Sequence, residues 1–282
     1  NMDMTREIRI EEGKLKVVFE IQENGVVELK QFDSAGRMDV KERDRGEEDF
    51  YPITEVQITG RGTRGMHAYK HNVSGGATDF VYQSHEVLEN EKGKELVIHT
   101  ATEYGVKGEY HMQFYPNVAA VQVWTILKNE GTEEIGLEYV SSFIYQGLCQ
   151  SGEKPYFEKT SIYTPHNSWD CESQWRKNDC REINLSGMAV NGFNTPGFGM
   201  NRYCYGGHSS WSTCEYLPMG FCEDEECKVT YFFQVEHSGQ WLIEYGPSTG
   251  ERLYVALSGA TETEHGWWKN LKPGDTFTTV PA

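Results

Sequence analysis

The feature that most constrains the fold of this chain is a recurrent alternation of apolar and polar residues along short segments. Leu15, Val17, Phe19 and Ile21 are separated by single residues that are mostly charged. A period of two places alternate side chains on opposite faces of a strand, so the pattern predicts strands with one face in a core. Helical periodicity is nowhere sustained over three turns. The chain is therefore expected to be all-β, with few and short helices.

Turn signals separate the predicted strands. Asn24-Gly25 follows the first strand and precedes a second apolar segment, which predicts a hairpin. Further strands are predicted within 95–99, 119–127, 229–235 and 252–257. Short strands without crossover helices indicate antiparallel sheets packed face to face. At 282 residues the β-sandwich has to be a large one.

The organisation of the chain is interpreted as a single domain over residues 1–282, because no linker rich in Pro, Gly or Ser divides it. Two stretches are less strand-like, 42–76 and 147–220. The second is rich in Gly, Asn, Ser, Trp and Cys and is expected to carry long loops. Loops on a rigid scaffold are where binding residues concentrate, so 147–220 is the first place to look for a site.

Charge and hydropathy exclude several partners. The chain has 43 acidic and 26 basic residues, a net charge of −17, whereas nucleic acids and anionic membranes require a basic surface. No run approaches the roughly 20 apolar residues of a spanning helix, and residues 1–4 lack the apolar segment of a signal peptide. A neutral ligand such as a sugar remains compatible with this surface.

The cysteines do not form a recognisable disulfide framework. Their number is odd, at seven, and their spacing is irregular. Free thiols are typical of a reducing compartment, so a cytoplasmic location is expected. No group of Cys and His has the spacing of a zinc site, and neither a metal nor a cofactor is predicted.

Local motifs for catalysis are weak. The segment Gly60–Gly65 is rich in glycine, but it lacks the Lys-Ser/Thr of a phosphate loop and no helical pattern follows it. His208, Ser209 and Glu215 supply the residue types of an acyl-transfer site without a nucleophile elbow. Acidic residues are too numerous for any pair to stand out as glycosidase machinery. No catalytic residue is predicted.

Tryptophans in the loop-rich stretch carry two interpretations. Trp169, Trp175 and Trp211 lie in 147–220, and Trp267-Trp268 lies near the end. A ring on a loop can stack on the apolar face of a sugar, or it can lock the loop onto the sandwich, since Trp is usually largely buried. The sequence leaves both interpretations open.

Four motifs, in the same order and spacing, resemble glycoside hydrolase family 36, the α-galactosidases and their relatives. Thr78–His85 (TDFVYQSH) is similar to the family's V-T-D-L/F-x-Y-x-S/T-H. Gly207–Trp211 (GHSSW), followed by Tyr216–Gly220, is similar to its G-x-S-S element. Tyr231–Trp241 (YFFQVEHSGQW) resembles the strand and turn ending in Y-S-G-N-W/F, and Trp268–Thr279 (WKNLKPGDTFTT) resembles L-x-P-G-E-x-F-x-T-P. The resemblance covers about residues 10–282.

The resemblance implies the N-terminal domain of such an enzyme. That domain is a large β-sandwich, or supersandwich, related to galactose mutarotase-like folds, and a catalytic (β/α)8 barrel follows it. The family's nucleophile lies in a K-W-D-x-N motif at the end of a barrel strand, and Trp169-Asp170 here does not match that motif. The chain is therefore expected to be a fragment without hydrolase activity. Its parent enzyme would hydrolyse terminal α-galactosides with retention.

The resemblance also implies partners and a place for them. In the family, this domain helps to build a homo-oligomer, and its loops reach the rim of a neighbouring active site. The corresponding family loop reads Y-x-x-D-F-R, whereas Gly62–His67 lacks the Asp-Phe pair. Arg64, His67, Trp169 and Trp211 are the candidates for a substrate rim. Two alternatives remain, a stand-alone carbohydrate-binding module and an aldose epimerase.

Overall fold

Antiparallel strands account for nearly all regular structure in the computed structural model, which describes residues 6–34, 51–64, 69–186 and 201–282. These residues form nineteen strands, and their helices are α1 (Tyr156–Lys159), α2 (Glu262–His265) and a 3-10 helix at Ala77–Asp79. The strands are β1 (Arg6–Glu12), β2 (Leu15–Ile21), β3 (Val27–Ser34), β4 (Val56–Ile58), β5 (Val81–Asn90), β6 (Gly93–Ala101), β7 (Val106–Phe114), β8 (Val121–Asn129), β9 (Ile135–Val140), β10 (Phe143–Leu148), β11 (Thr160–His166), β12 (Gln174–Asp179), β13 (Tyr203–Gly207), β14 (Met219–Asp224), β15 (Val229–Gln234), β16 (Trp241–Ser248), β17 (Arg252–Ser258), β18 (Lys269–Leu271) and β19 (Thr276–Thr278). The predicted all-β class is confirmed.

The strands form five sheets in the described part of the chain, and every pairing is antiparallel. The largest sheet has the order β19-β8-β7-β6-β5. Two four-stranded sheets have the orders β10-β17-β16-β13 and β12-β11-β14-β15, and two three-stranded sheets have the orders β1-β2-β3 and β18-β9-β4. Antiparallel neighbours joined by short turns are what the glycine-punctuated alternation predicts.

The predicted hairpin at Asn24-Gly25 joins β2 and β3. The strands pair from Leu15 opposite Ser34 to Ile21 opposite Val27. The Asn24 side chain accepts a hydrogen bond of 3.0 Å from the backbone N–H of Val26, and Gly25 takes a positive φ of 87° that favours glycine. The other predicted strands correspond to β6, β8, β15 and β17, with ends shifted by up to two residues.

The core lies between the sheets. One buried cluster joins residues of four sheets, and the aromatic rings of Phe19 and Tyr110 meet edge to face within it at 5.7 Å. A second cluster packs β4, β9 and β18 against β7 and β8. Alternate residues of β7, such as Tyr110 and Met112, are buried while Lys107 is exposed. Faces that bury alternate residues against another sheet define a sandwich.

The expectation for 147–220 is wrong in part. Three complete strands, β11, β12 and β13, and the start of β14 lie within it. The sequence of β12 is polar, and most of its side chains are exposed. Such a strand is stabilised by its antiparallel pairing with β11 rather than by a buried face. Its sequence therefore shows no alternation of apolar and polar residues. Long loops do occur in this stretch, at 167–173 between β11 and β12 and at 208–218 between β13 and β14.

Candidate functional site

The described parts of the loop that follows β4, residues 59–64 and 69–76, are anchored by a buried carboxylate. The Arg64 guanidinium makes two parallel hydrogen bonds to Glu55, with N–O distances of 2.8 and 2.6 Å, and Glu55 is fully buried. Arg64 also donates to the carbonyls of Asn72 and Ser74, at 2.8 and 2.7 Å. Burial by itself lowers the pKa of Arg64, but the Glu55 carboxylate outweighs it and the net pKa is raised.

The same carboxylate holds the far side of this loop. The hydroxyl of Ser74 and its backbone N–H both donate to Glu55. Arg64 and Ser74, on the two described sides of the loop, therefore bind the same buried charge. A fork-shaped guanidinium suits this arrangement because it can serve a carboxylate and two carbonyls at once.

A second buried carboxylate, Glu244 on β16, fixes the loop to the sheet. It accepts hydrogen bonds from the backbone N–H of His71 (2.8 Å), Arg202 (2.8 Å) and the Tyr254 hydroxyl (2.7 Å), and His71 Nδ1 lies at 3.0 Å. Burial would raise the pKa of Glu244, but His71 and Arg202 lower it to about 2. Arg202 also pairs with Glu264 on α2.

Helix α2 links this anchor to the neighbouring loops. Its N-terminus is capped by Thr261, and it ends at Gly266 in the left-handed region, which explains why it is a single turn. Thr263 Oγ1 lies 3.5 Å from His71 Nε2. His265 Nε2 donates to the carbonyl of Gly207 at 2.9 Å. Burial lowers the pKa of His265, which favours this neutral form with a single ring donor.

Two loops carry exposed tryptophans, and we call them the tryptophan loops, residues 167–173 and 208–218. The Asn167 backbone N–H donates to the carbonyl of Glu215 at 3.0 Å, and the Asn167 side chain donates to that of Thr213 at 2.6 Å. Trp169 is 77% exposed and Trp211 is 64% exposed. The structure thus brings these two candidates onto adjoining loops with their rings in solvent, where a ligand can reach them.

A histidine–carboxylate pair lies beside the second tryptophan loop. His208 Nδ1 is 3.0 Å from Glu215, and the His208 ring stacks on His265 at 4.9 Å. The carbonyl of His208 also accepts from the Gln240 side chain. Through His265 and α2, this pair connects the tryptophan loops to the anchor at Glu244. The Glu215 carboxylate of this pair can accept further hydrogen bonds, which suits hydroxyl groups.

The four rim candidates thus have different surroundings. Arg64 is 21% exposed, and its guanidinium is committed to its own loop. Trp169 and Trp211 are exposed on the tryptophan loops. His67 lies outside the described residues. A substrate rim built from these residues stays a prediction.

Sequence reasoning missed the two anchoring carboxylates. The available signal for Glu244 is a single charged residue inside the apolar run from Trp241 to Tyr245. Glu55 has no such signal because its neighbours in the sequence are both polar and apolar. Their partners lie up to 173 residues away along the chain, as His71 does from Glu244, and no local pattern encodes that distance.

One group of potential metal ligands occurs among the described residues. Oxygen and sulfur atoms of Asp224, Glu226 and Cys227 lie within 4.8 Å of one another. The buried ammonium group of Lys159 lies 3.0 Å from Asp224 and 3.1 Å from Glu226. A cation of the chain itself thus neutralises these acids. All seven cysteines are unpaired, and the described residues contain no helix of the length and apolar character needed to span a bilayer.

Neither a protein family model nor a curated protein matches this sequence. Solved structures match it along its whole length. The GH36 alpha-galactosidase AgaA from Geobacillus stearothermophilus has a TM-score of 0.72 at 14% identity, and the match covers 98% of this chain and 40% of that one. AgaB from the same organism has a TM-score of 0.73 at 15% identity, covering 100% and 39%. The alpha-galactosidase from Lactobacillus brevis has a TM-score of 0.72 at 12% identity, covering 99% and 39%.

This chain shares its fold with GH36 alpha-galactosidases. The expectation drawn from the four sequence motifs is confirmed at the level of the fold. The chain spans about two fifths of the length of the solved structures it matches. Identities of 12–15% support a common architecture, and function has to be argued from the site itself.

Proposed function

We propose that this chain is the non-catalytic N-terminal β-sandwich domain of an α-galactosidase-type glycoside hydrolase. The observation that carries the proposal is a fold match over 98–100% of this chain that fills only 39–40% of the matched enzymes. The remaining part of such an enzyme supplies a (β/α)8 barrel with a nucleophile and an acid/base carboxylate. The whole enzyme would cleave terminal α-galactosides with retention through closely spaced carboxylates.

The domain's own role is to shape the entrance of the active site and to make oligomer contacts. The loop at 59–76 and the tryptophan loops are the surfaces for the first role. Two buried carboxylates bind the described parts of the first loop, at Arg64 and at His71, which lowers the ordering cost of those parts. Trp169 and Trp211 offer apolar faces that can stack on a sugar ring.

The coding sequence that adjoins residues 1–282 tests the proposal directly. We expect a barrel with two catalytic carboxylates, and a gene without such a barrel would overturn the proposal. A second test is turnover of a chromogenic α-galactoside by the purified 282-residue chain, which is expected to equal the buffer control. Turnover that disappears when one of the chain's own acids is replaced would show that the chain is itself an enzyme.

A second candidate function is that of a carbohydrate-binding module, favoured by the exposed indoles of Trp169 and Trp211 on adjoining loops. Calorimetry with galactose, melibiose and raffinose tests it. Binding that is lost in Trp211→Ala and retained in Trp268→Ala, an equally exposed tryptophan outside the loops, would support it. Heats equal to dilution at millimolar sugar would exclude it.

The geometry does not favour an aldose epimerase. His71 and Glu244 are the most deeply buried pair of a histidine and a carboxylate among the described residues, and these are the two groups that such an enzyme needs. Both side chains are buried, at 2% and 0% exposure, and each is committed to structural hydrogen bonds. Substrate has no access to them. Unaccelerated mutarotation of galactose, followed by polarimetry, is the expected result.

A further inference from the structure

Strand β5 is an open edge of the largest sheet. It pairs with β6 on one side, and no other described strand pairs with it on the other side. All eight residues from Gln83 to Asn90 are exposed. They include Val87 and Leu88, at 48% and 44% exposure, and contain neither Pro nor Lys, the residues that commonly protect edges. A long, exposed edge with apolar residues is a template for another strand.

The backbone groups that face the open side can be assigned from the hairpin. β5 and β6 are joined by a two-residue turn, and Asn90 lies opposite Gly93. In such a hairpin the flanking pair is hydrogen-bonded, so residues 90, 88, 86 and 84 direct their N–H and C=O groups toward β6. Residues 85, 87 and 89 then direct theirs outward. The bulge at Gln83 preserves this alternation, because the N–H of Tyr82 points outward and donates to Gly25 at 2.8 Å.

The side chain of Val87 continues an apolar row of the sheet. Val87 lies opposite Leu96, Leu96 opposite Met112, and Met112 opposite Val123. Leu96, Met112 and Val123 are buried in the core, whereas Val87 extends this row beyond the covering sheets. A neighbouring strand that placed an apolar residue next to Val87 would extend the row.

We propose that β5 of two copies of this chain pair antiparallel about a twofold axis through Val87. This joins the two five-stranded sheets into one and deepens the oligomer contact in the function proposed above, on which it rests. Val87 then lies opposite Val87 of the second copy, and His85 lies opposite Glu89. An imidazole donor meets a carboxylate on each side of an apolar centre, a complementary arrangement that occurs twice by symmetry.

Neighbouring registers are less favourable. An axis through Glu86 places Glu86 opposite its own copy, and an axis through His85 does the same for His85, so like groups face each other. An axis that passes between two residues would place the outward N–H and C=O groups of one strand opposite residues whose groups point away from it. The hydrogen bonds between the two β5 strands would then not form. An axis through Leu88 would set Val87 opposite Glu89 and interrupt the apolar row. The axis through Val87 keeps that row aligned and pairs each His85 with Glu89.

Cross-linking tests the register. In a background with the exposed Cys171 and Cys214 replaced by Ser, Val87→Cys is expected to form a disulfide-linked dimer under mild oxidation. The two Val87 Cα atoms would lie about 5.5 Å apart, which a disulfide can bridge. Ser84→Cys is the matched control, because this register separates its two copies by about 20 Å along the strand. Equal cross-linking of the two variants, or none for Val87→Cys, would overturn the register.

Sedimentation velocity tests the contact itself. The wild-type chain is expected to dimerise, and Val87→Lys is expected to raise the dissociation constant about tenfold or more by placing two ammonium groups at the axis. Val118→Lys, at an equally exposed valine in the β7–β8 loop, is expected to leave it unchanged. A wild-type monomer at all concentrations overturns both this contact and the oligomer role. A dimer that persists in Val87→Lys overturns only the β5 contact, and the coding-sequence test of the hydrolase is independent of both outcomes.

Discussion

Replacing Glu244 by Gln removes a fully buried charge from the centre of a polar cluster without changing the shape of the side chain. Four donor groups converge on this carboxylate, namely two from His71 and one each from Arg202 and Tyr254. In the variant, the amide N–H₂ would face one of these donors, and Arg202 would lose its buried partner. Removing one member of a buried ion pair costs about 3–5 kcal/mol of unfolding free energy.

The pKa of Glu244 gives an independent magnitude. It lies at about 2 in the folded protein against an ordinary value of 4.5. At about 1.4 kcal/mol for each tenfold change in acidity, ionised Glu244 stabilises the fold by about 3 kcal/mol. A depressed carboxyl pKa contributes this stability above the unfolded pKa and loses it as the pH falls through the folded one. The contribution should therefore decline between about pH 5 and pH 2.

Urea unfolding across this pH range is the assay. We expect Glu244→Gln to be about 3 kcal/mol less stable than wild type at neutral pH, with the difference shrinking toward pH 2 as the wild-type carboxylate is protonated. Glu103→Gln, at an exposed carboxylate, serves as the control and should change stability by less than about 0.5 kcal/mol. An unchanged urea midpoint for Glu244→Gln, or a difference that does not vary with pH, would refute the reasoning.

Three further outcomes follow from burial and charge. Arg64→Met should lower the free energy of unfolding by about 3 kcal/mol, because it leaves the Glu55 carboxylate buried without its guanidinium partner. An unchanged stability in urea would contradict this structural role and would favour a role of Arg64 at the substrate rim. Burial lowers the pKa of Lys70 to about 8, so its buried charge destabilises the fold below that pH. In thermal unfolding, the stability of Lys70→Met should therefore exceed that of wild type by more at about pH 7 than at about pH 10. Trp211→Ala should change the urea midpoint little, whereas Trp241→Ala should cost about 3–5 kcal/mol, and equal effects would contradict the assigned burial.

The sequence predicted the parts of the fold that local patterns encode. The alternation around Phe19, the turn at Asn24-Gly25 and the apolar segments of β6, β8, β15 and β17 are each set by neighbouring residues, because strand faces repeat every two residues. It did not predict β12, whose polar side chains are exposed and whose stability comes from its ladder to β11. Motif order along the chain was enough to predict the fold family.

Locating the candidate site required both the sequence and the tertiary structure. Two exposed tryptophans could be selected from the sequence because they lie in a stretch rich in Gly, Asn and Ser, but their common position could not. It arises from hydrogen bonds between Asn167 and the backbone of Thr213 and Glu215, more than forty residues later. Arg64 was selected for its place in the loop, and the structure shows a guanidinium bound to Glu55.

The sequence by itself thus determined several of the strands, the faces of those strands and the class of fold. The tertiary structure alone decided which charges are buried and what neutralises them, as with Glu244, His71 and Arg202. It also decided that one side of β5 has no partner among the described strands. The physical reason is that strand periodicity is a property of adjacent residues, whereas desolvation of a charge and the pairing of an edge depend on groups brought together from distant parts of the chain.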